Sequence, residues 1–223
     1  MPTPGKGDLI DIHTHDSVLA DGVFAVENLM IHEGRFPDGS AKAFSVGIHP
    51  WFLNEKEVDS QLAQLAKLAA DERVVAIGET GYDRRKGPDL ALQERVFEEQ
   101  ARMADELSKP LIIHCVKGWD ELWASRLRLR PCVPWIIHGF NGRIEQAGQL
   151  VAGGMYLSLW IKSVLNGSLD RVIRELPSDR VFLETDGFGI APEEVYKRAA
   201  EAAGISPAEF AERVRGNYLK LFS

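Results

Sequence analysis

The pair His13 and His15 is the first place in this sequence where side chains could do chemistry. It follows the apolar run "LIDI" within the stretch "DIHTHD". Alternate side chains along a β-strand point to the same face, so His13 and His15 can bind one metal ion together. Imidazole and carboxylate ligands suit zinc, manganese, iron or nickel. An exposed polar turn is the simpler alternative, and ligand-type residues in equivalent positions elsewhere decide between the two.

Such positions occur at the ends of four later apolar runs, "VVAIGE", "PLIIH", "WIIH" and "VFLETD". In a βα barrel the C-terminal ends of the strands meet at one rim, which carries the active site. Six ligands exceed what one catalytic zinc usually takes, so we predict two divalent metal ions with a carboxylate between them. The candidate ions are zinc, magnesium, manganese, iron and nickel, and the predicted ligands are His13, His15, Glu79, His114, His138 and Asp186.

Other polar residues near these strand ends leave two interpretations open. His49, in "GIHPW", either contacts substrate or caps a turn. Arg84, first of the basic residues in "DRRKG", and Lys117 could meet a phosphate, although charged loops are usually solvated. Asp11 shares the odd-numbered face of His13 and His15, where it supports the ligands or is a buried structural acid. His32 has no comparable context and is expected to be structural or solvated.

The elements that would position these residues alternate between strand and helix. Eight short apolar runs, many apolar at successive positions, are typical of strands buried on both faces in a parallel sheet. Patterns of helical spacing separate the later runs. We therefore predict an α/β fold, a TIM-like (β/α)8 barrel, in one domain of residues 1–223. No amphipathic helix is evident between the first and third runs, so "VFAVENLMIHEGRFPDGS" is expected to be a hairpin or a reduced first βα unit that distorts the barrel.

The charge, the cysteines and the apolar stretches of the chain argue against several classes of protein. The 223 residues carry a formal net charge of −7, which argues against a broad basic face for nucleic acid. A local anion pocket remains possible because a bound metal supplies positive charge. The two cysteines form neither a disulfide framework nor a C-x-x-C knuckle. With no apolar stretch suited to a signal peptide or a membrane span, a cytoplasmic protein without membrane partners is expected.

Seven motifs follow one another along nearly the whole chain: "DIHTH", "GIHPW", "AIGETGYD", "KPLIIHC", "WIIHGFNG", "LETD" and "GNYLKLF". In this order they resemble the TatD-related metal-dependent deoxyribonuclease family. The resemblance implies a distorted TIM barrel with a two-metal hydrolytic site that acts on DNA ends. It also implies that His13, His15 and Asp186 bind one metal, that Glu79 bridges, and that His114 and His138 bind the other.

The chain departs from the family pattern in its loops. It reads "GFGI" after "LETD", where a Ser-Pro-type turn is common, and "CVKG" after "PLIIH", where an Arg-containing turn is common. Trp160 follows "YLSL", where a Gly is frequent. These differences leave the ligand set intact and concern the loops that would hold substrate.

Three hypotheses for function follow. The first is a metal-dependent phosphodiesterase, a deoxyribonuclease acting on DNA ends or a small phosphodiester, with Asp186 as general base and Glu79 in the metal centre. The second is hydrolysis of a small amide, lactone or phosphate ester, since this barrel supports many chemistries and the chain is acidic. The third, a non-catalytic metal-binding protein, fits less well because a structural metal site needs no open cluster at a rim.

Overall fold

The computed structural model describes residues 2–15 and 20–222, and eight parallel strands in sequential order form one sheet within them. Each strand pairs with the next along the chain. The strands coincide with the eight apolar runs, so the predicted barrel is confirmed. They are β1 (Leu9–Thr14), β2 (Val23–Met30), β3 (Ala43–Gly47), β4 (Val74–Asp83), β5 (Leu111–Val116), β6 (Trp135–Phe140), β7 (Tyr156–Leu159) and β8 (Val181–Leu183).

The barrel closes where β8 meets β1. Just beyond β8, the backbone N–H of Asp186 donates to the carbonyl oxygen of His13 at 3.0 Å. The N–H of Thr185 donates to Asp11 Oδ1, also at 3.0 Å. The first and last strands are thus joined at the same rim that carries the predicted ligands.

Helices form the outer layer and bury their apolar faces against the strands. The helical patterns predicted between the later runs are confirmed, whereas the helix Ile161–Leu165 was missed because five residues are too few to show a helical period. Asp89 caps the helix Leu90–Glu106 by accepting the N–H of Leu92, and the helix Pro192–Ala203 begins with a proline and ends before Gly204. The helices are α1 (Val58–Ala69), α2 (Leu90–Glu106), α3 (Trp119–Leu129), α4 (Ile144–Ala152), α5 (Ile161–Leu165), α6 (Asp170–Glu175), α7 (Pro192–Ala203) and α8 (Pro207–Phe222).

The first unit is reduced, as predicted. β2 pairs in parallel with both β1 and β3, which excludes the hairpin alternative. Only residues 15–22 separate β1 from β2, and 16–19 of these, with Asp16 of the "DIHTHD" stretch, lie outside the described residues. β2 leads to β3 through a single 3₁₀ turn, Ile31–Glu33. Among the helices of the described ranges, none combines the length and apolar character needed to cross a membrane.

Irregular register marks the strands that carry the predicted ligands. The pairing shifts around His13 in β1, around Glu79 in β4 and around His138 in β6. Such irregularities redirect side chains and are frequent beside active sites. Glu79 therefore does not end its strand as the sequence suggested, because β4 continues to Asp83.

Two glycines make the path of β4 possible. A Cβ atom on Gly78 would lie 2.3 Å from the carbonyl oxygen of Ile112, and one on Gly81 would lie 1.9 Å from that of His114. Both glycines have positive φ values, 132° and 149°. The "GETG" motif thus brings β4 against β5 with Glu79 turned inward between two positions that need glycine.

Candidate metal centre

Five strands deliver polar side chains to one cavity at the C-terminal rim of the barrel. The cavity has a volume of about 480 Å³, and its lining includes His15, Glu79, His114, His138 and Asp186. His13 is fully buried and contacts two of these residues, Glu79 and Asp186. The structure therefore brings all six predicted ligand residues together.

The carboxylate of Glu79 lies at the centre of the cluster. Its two oxygens face different sets of imidazoles, and together they approach five of the six histidines within 3.7 Å. Oε1 is near His138 Nε2 (2.8 Å), His114 Nδ1 (2.9 Å) and His49 Nε2 (3.0 Å), and Oε2 is near His13 Nε2 (3.4 Å) and His15 Nε2 (3.7 Å).

Asp186 faces the H-x-H pair. Its Oδ1 lies 3.3 Å from His15 Nε2 and 3.5 Å from His13 Nε2. The backbone of Asp186 adopts a φ of 49°, a left-handed conformation that Asp tolerates better than most residues. The hydrogen bond from its N–H to the His13 carbonyl fixes this turn and so places the carboxylate opposite the pair.

Electrostatics in the cluster favour negative carboxylates and positive charge around them. Burial alone would raise the pKa of Glu79, yet the imidazoles, His138 and His49 foremost, hold the pKa well below its usual range. Burial likewise opposes the low pKa of Asp186, which the nearby imidazoles of His13 and His15 maintain. Against burial and the charge of His138, the carboxylates of Asp186 and Glu79 raise the pKa of His13 to about 9. Without a bound cation, the carboxylates therefore favour a protonated imidazole at His13 although this residue is buried.

The donor set fits divalent metal ions. Among the described residues, the nitrogens His13 Nδ1, His13 Nε2 and His138 Nδ1 are buried without a hydrogen-bond partner. Buried polar atoms without partners are costly, and metal ligation satisfies them. Within the part of the chain that the structure describes, three groups have candidate ligand atoms within 4.8 Å of one another: His13 with Glu79 and His138, His13 with His15 and Asp186, and His49 with Glu79 and His114.

The sequence matches the family model for the TatD related DNase over residues 39–223. The chain belongs to this family. The match begins after β1, so it does not include His13 and His15. The family resemblance expected from the motifs is confirmed, and the chain is an enzyme of the hydrolase class.

Curated relatives agree with the assignment to the TatD family. The chain is 31% identical over 208 residues to the 3'-5' ssDNA/RNA exonuclease TatD of Cronobacter sakazakii, covering 83% of this chain and 76% of that protein. It is also 31% identical over 196 residues to an uncharacterized metal-dependent hydrolase of Escherichia coli, YcfH, covering 80% and 73%.

Solved structures support the fold. A TatD family hydrolase from Entamoeba histolytica matches with a TM-score of 0.78 at 18% identity, over 96% of this chain and 98% of that one. The TatD homologue YJJV from Escherichia coli matches with a TM-score of 0.74 at 22% identity, over 96% and 97%. At these identities the similarity shows that the TatD barrel is shared.

Sequence reasoning missed a carboxylate of this TatD hydrolase, Asp83. Its Oδ2 accepts hydrogen bonds from Trp51 Nε1 at 2.6 Å and His114 Nε2 at 3.0 Å, while Oδ1 accepts the backbone N–H groups of Arg85 and Lys86. Burial opposes ionisation, but the hydrogen bonds from His114 and Trp51 lower the pKa of Asp83 to about 2. Asp83 thus fixes the ring of His114, with Nδ1 turned to Glu79.

His49 caps a turn, as one of its two predicted interpretations holds, and contact with substrate stays a prediction. Its Nδ1 accepts the N–H of Trp51 at 3.1 Å and so caps the 3₁₀ turn Pro50–Phe52. A neutral imidazole carries one proton, so Nε2 holds it and donates to Glu79 Oε1. Burial, the largest influence, lowers the pKa of His49 despite the neighbouring Glu79 carboxylate. In the TatD cavity, His49 therefore donates a hydrogen bond to the central carboxylate of Glu79.

The two predicted basic residues lie outside the cavity lining. Arg84 forms an ion pair with Glu121 on α3. Lys117 is exposed and has a left-handed backbone, with φ 57°. The lysine of the "DRRKG" loop that approaches the mouth is Lys86, whose Nζ lies 3.5 Å from the centre of the Trp51 ring. A role in substrate binding stays a prediction for Arg84 and Lys117.

Two buried acids support the ligands of the TatD site. Asp11 accepts the N–H and the hydroxyl of Thr185, so it ties β1 to the loop that carries Asp186. Burial raises the pKa of Asp11 to about 7. Glu184 Oε1 accepts the N–H of Gly139 at 2.8 Å and lies 3.6 Å from His138 Nδ1. Glu184 is part of the "LETD" motif, but the sequence does not show that it faces His138; only the fold does.

His32 was expected to be structural or solvated. His32 is exposed and its ring stacks on Phe52, with ring centres 3.6 Å apart. It therefore lies at the margin of the site rather than among the candidate ligands.

Proposed function

We propose that this protein is a two-metal phosphodiesterase that removes nucleotides from the ends of DNA or RNA strands. The observation that carries the proposal is the position of Glu79, whose two carboxylate oxygens face two different sets of imidazoles. A carboxylate between two nitrogen-rich sites is what a bridged pair of divalent ions requires. The curated relative from Cronobacter sakazakii, a 3'-5' ssDNA/RNA exonuclease, supports a nucleic acid substrate.

We assign one ion to His13, His15 and Asp186, and the other to His114 and His138, with Glu79 shared between them. Four imidazoles favour zinc, manganese, iron or nickel over magnesium, which prefers oxygen ligands. When bound, the ions neutralise charge on the phosphate and make a water molecule more acidic.

The chain's own groups then have separate tasks. Asp186 stays ionised at neutral pH because His13 and His15 hold its pKa low. Its Oδ1 contacts both imidazoles, so Oδ2 is the oxygen that we assign to accept the proton of the attacking water. His49 Nε2–H donates to Glu79 Oε1 inside the cavity and so helps to hold the shared carboxylate in place. Asp83 keeps His114 in a fixed orientation, and Glu184 Oε1 faces His138 Nδ1 at 3.6 Å.

Binding of nucleic acid should rest on few charges. The net charge of −7 offers no diffuse attraction to a polyanion. Affinity then comes from the ions and a few residues at the rim, and the dependence on salt should correspond to roughly two or three released counterions rather than ten.

The test is stepwise degradation of a labelled DNA or RNA oligonucleotide by protein loaded with manganese or zinc, with EDTA as the arrest control. Asp186→Asn should fold, keep metal by elemental analysis, and lose at least ~100-fold in kcat, the lower range for a general base. Asp59→Asn, at an exposed position on α1, is the matched control and should behave as wild type. Metal-loaded protein that leaves oligonucleotides intact but cleaves a small ester or lactone would replace this proposal with the small-molecule alternative.

A further inference from the structure

The mouth of the cavity carries an unusual share of the exposed aromatic surface. Six large hydrophobic side chains are exposed among the described residues, and three of them, Trp51, Phe52 and Phe188, are at this mouth. Phe188 contacts Trp160, which lines the cavity. Apolar groups concentrated around a polar site mark a surface that a ligand covers.

These aromatic residues lie on opposite sides of the metal centre. Trp51 follows β3 and Trp160 follows β7 directly, and strands three and seven are four places apart in a barrel of eight. Phe188 follows β8, next to β7. The cavity between them, about 480 Å³, is within the range of roughly 300–1,000 Å³ that holds small organic ligands.

Each side combines a fixed ring with a lysine. The indole N–H of Trp51 donates to Asp83 at 2.6 Å, and Lys86 Nζ lies 3.5 Å from the ring centre. On the other side, the rings of Trp160 and Phe188 are perpendicular at 5.2 Å, and Lys162 Nζ lies 4.0 Å from the centre of Phe188. Each ammonium group lies over a ring, so a base that stacks on that ring takes the place of the ammonium group and brings a phosphate for the lysine to pair with.

We propose that Trp51 on one side, and Trp160 with Phe188 on the other, stack against unpaired nucleobases that flank the phosphodiester bond being cleaved. The inference rests on the proposed function and adds the subsites that recognise the bases. Stacking accepts any base because every base has a π face, so the enzyme should read the presence of a base and not its identity. The bases of a duplex end would have to unpair before they could stack on Trp51 and on Trp160 with Phe188.

The test compares two labelled oligonucleotides that share one phosphate backbone. One has ordinary nucleotides at its ends, and the other has abasic tetrahydrofuran nucleotides there. Wild type should show a KM about 5- to 150-fold lower for the ordinary strand, the effect expected for each stacked base. Phe188→Leu and Trp160→Leu keep apolar bulk but remove the aromatic face, so each should raise KM for the ordinary strand towards the abasic value with little change in kcat.

Two controls separate stacking from damage to the fold. Phe188→Tyr keeps a ring and should retain the wild-type preference. Leu127→Ala, on the outer helix α3 and 72% exposed, should leave both substrates unaffected. Thermal unfolding of every variant identifies loss of structure, and Phe188→Leu, at a 40% exposed position, keeps the test valid if Trp160→Leu does not fold.

The outcomes distinguish the two proposals. If wild type degrades ordinary and abasic ends with equal KM, or if the leucine variants keep the wild-type preference, the proposed base stacking is wrong while the proposed function stands. If metal-loaded wild type cleaves neither strand, the proposed function fails and the stacking subsites fail with it.

Discussion

Replacement of Asp83 by Asn should weaken metal binding although Asp83 is not itself a proposed ligand. The carboxylate accepts on both oxygens: Oδ1 from two backbone N–H groups, and Oδ2 from Trp51 Nε1 and His114 Nε2. An Asn side chain has only one oxygen. If that oxygen stays on the backbone N–H groups, its NH₂ group faces the indole N–H, and His114 Nε2 must become an acceptor.

The proton of His114 would then move to Nδ1. Nδ1 is the nitrogen that lies 2.9 Å from Glu79 Oε1, where the second ion is proposed to bind, and a protonated nitrogen cannot ligate. Loss of such a supporting partner typically costs about 10- to 100-fold in metal affinity. The indole N–H also loses its acceptor, a penalty of about 1–3 kcal/mol for a buried group. Trp51 is 36% exposed, so the lower end, about 1 kcal/mol, is expected.

Competition with a metal-sensitive chelating dye measures the affinity of both sites, and urea unfolding in EDTA measures the change in the free energy of unfolding. Asp59→Asn, whose exposed carboxylate on α1 pairs with Arg95, serves as the control for metal affinity and should leave that affinity unchanged. An Asp83→Asn protein that binds two metals with wild-type affinity would show that Asp83 does not set the orientation of His114, and the reasoning would be refuted.

Three further outcomes are expected. Glu79→Gln should lose the second bound metal and nearly all activity, since an amide cannot bridge two cations; elemental analysis that still finds two tightly bound ions would show that Glu79 is no bridge. Gly81→Ala should unfold at a clearly lower temperature than Gly148→Ala, because its Cβ would lie 1.9 Å from the His114 carbonyl oxygen whereas Gly148 has open space; equal melting temperatures would contradict the close approach of β4 and β5. Metal binding at pH 7 should release protons, because the pKa of His13 in the metal-free protein is raised to about 9, and metal affinity should rise from pH 7 to 9. Calorimetry in buffers of different ionisation enthalpy measures the protons released, and a binding heat that does not depend on the buffer would count against this prediction.

The parallel strands could be predicted because burial on both faces leaves a direct trace in sequence. β4 shows this most clearly, since all ten of its residues are buried. The six candidate ligands could be predicted because polar residues at the ends of apolar runs meet at one rim. Even so, Glu79 is in mid-strand, and it turns inward through a register shift that no periodicity reveals.

The supporting shell could not be predicted in the same way. Asp83 and Glu184 are ordinary acids within their motifs, and their roles depend on contacts with residues far along the chain. The pairing of Trp160 with Phe188 likewise joins two loops separated by a strand. Arg84 was predicted near the substrate because it is close in sequence to Glu79, but it forms an ion pair with Glu121 outside the cavity lining.

Binding of a metal ion between β8 and β1 depends on closure of the barrel. His13 and Asp186 belong to opposite ends of the sequence, and they meet through the same hydrogen bond that closes the barrel. An ion held by both would act as a clasp, because it has no binding site until the last strand has docked on the first. At a free metal concentration of about 100 times Kd, such a clasp adds about 2.7 kcal/mol to the free energy of unfolding. At a lower free metal concentration this stabilisation would be smaller, and the closed seam would be correspondingly less favoured over the open chain.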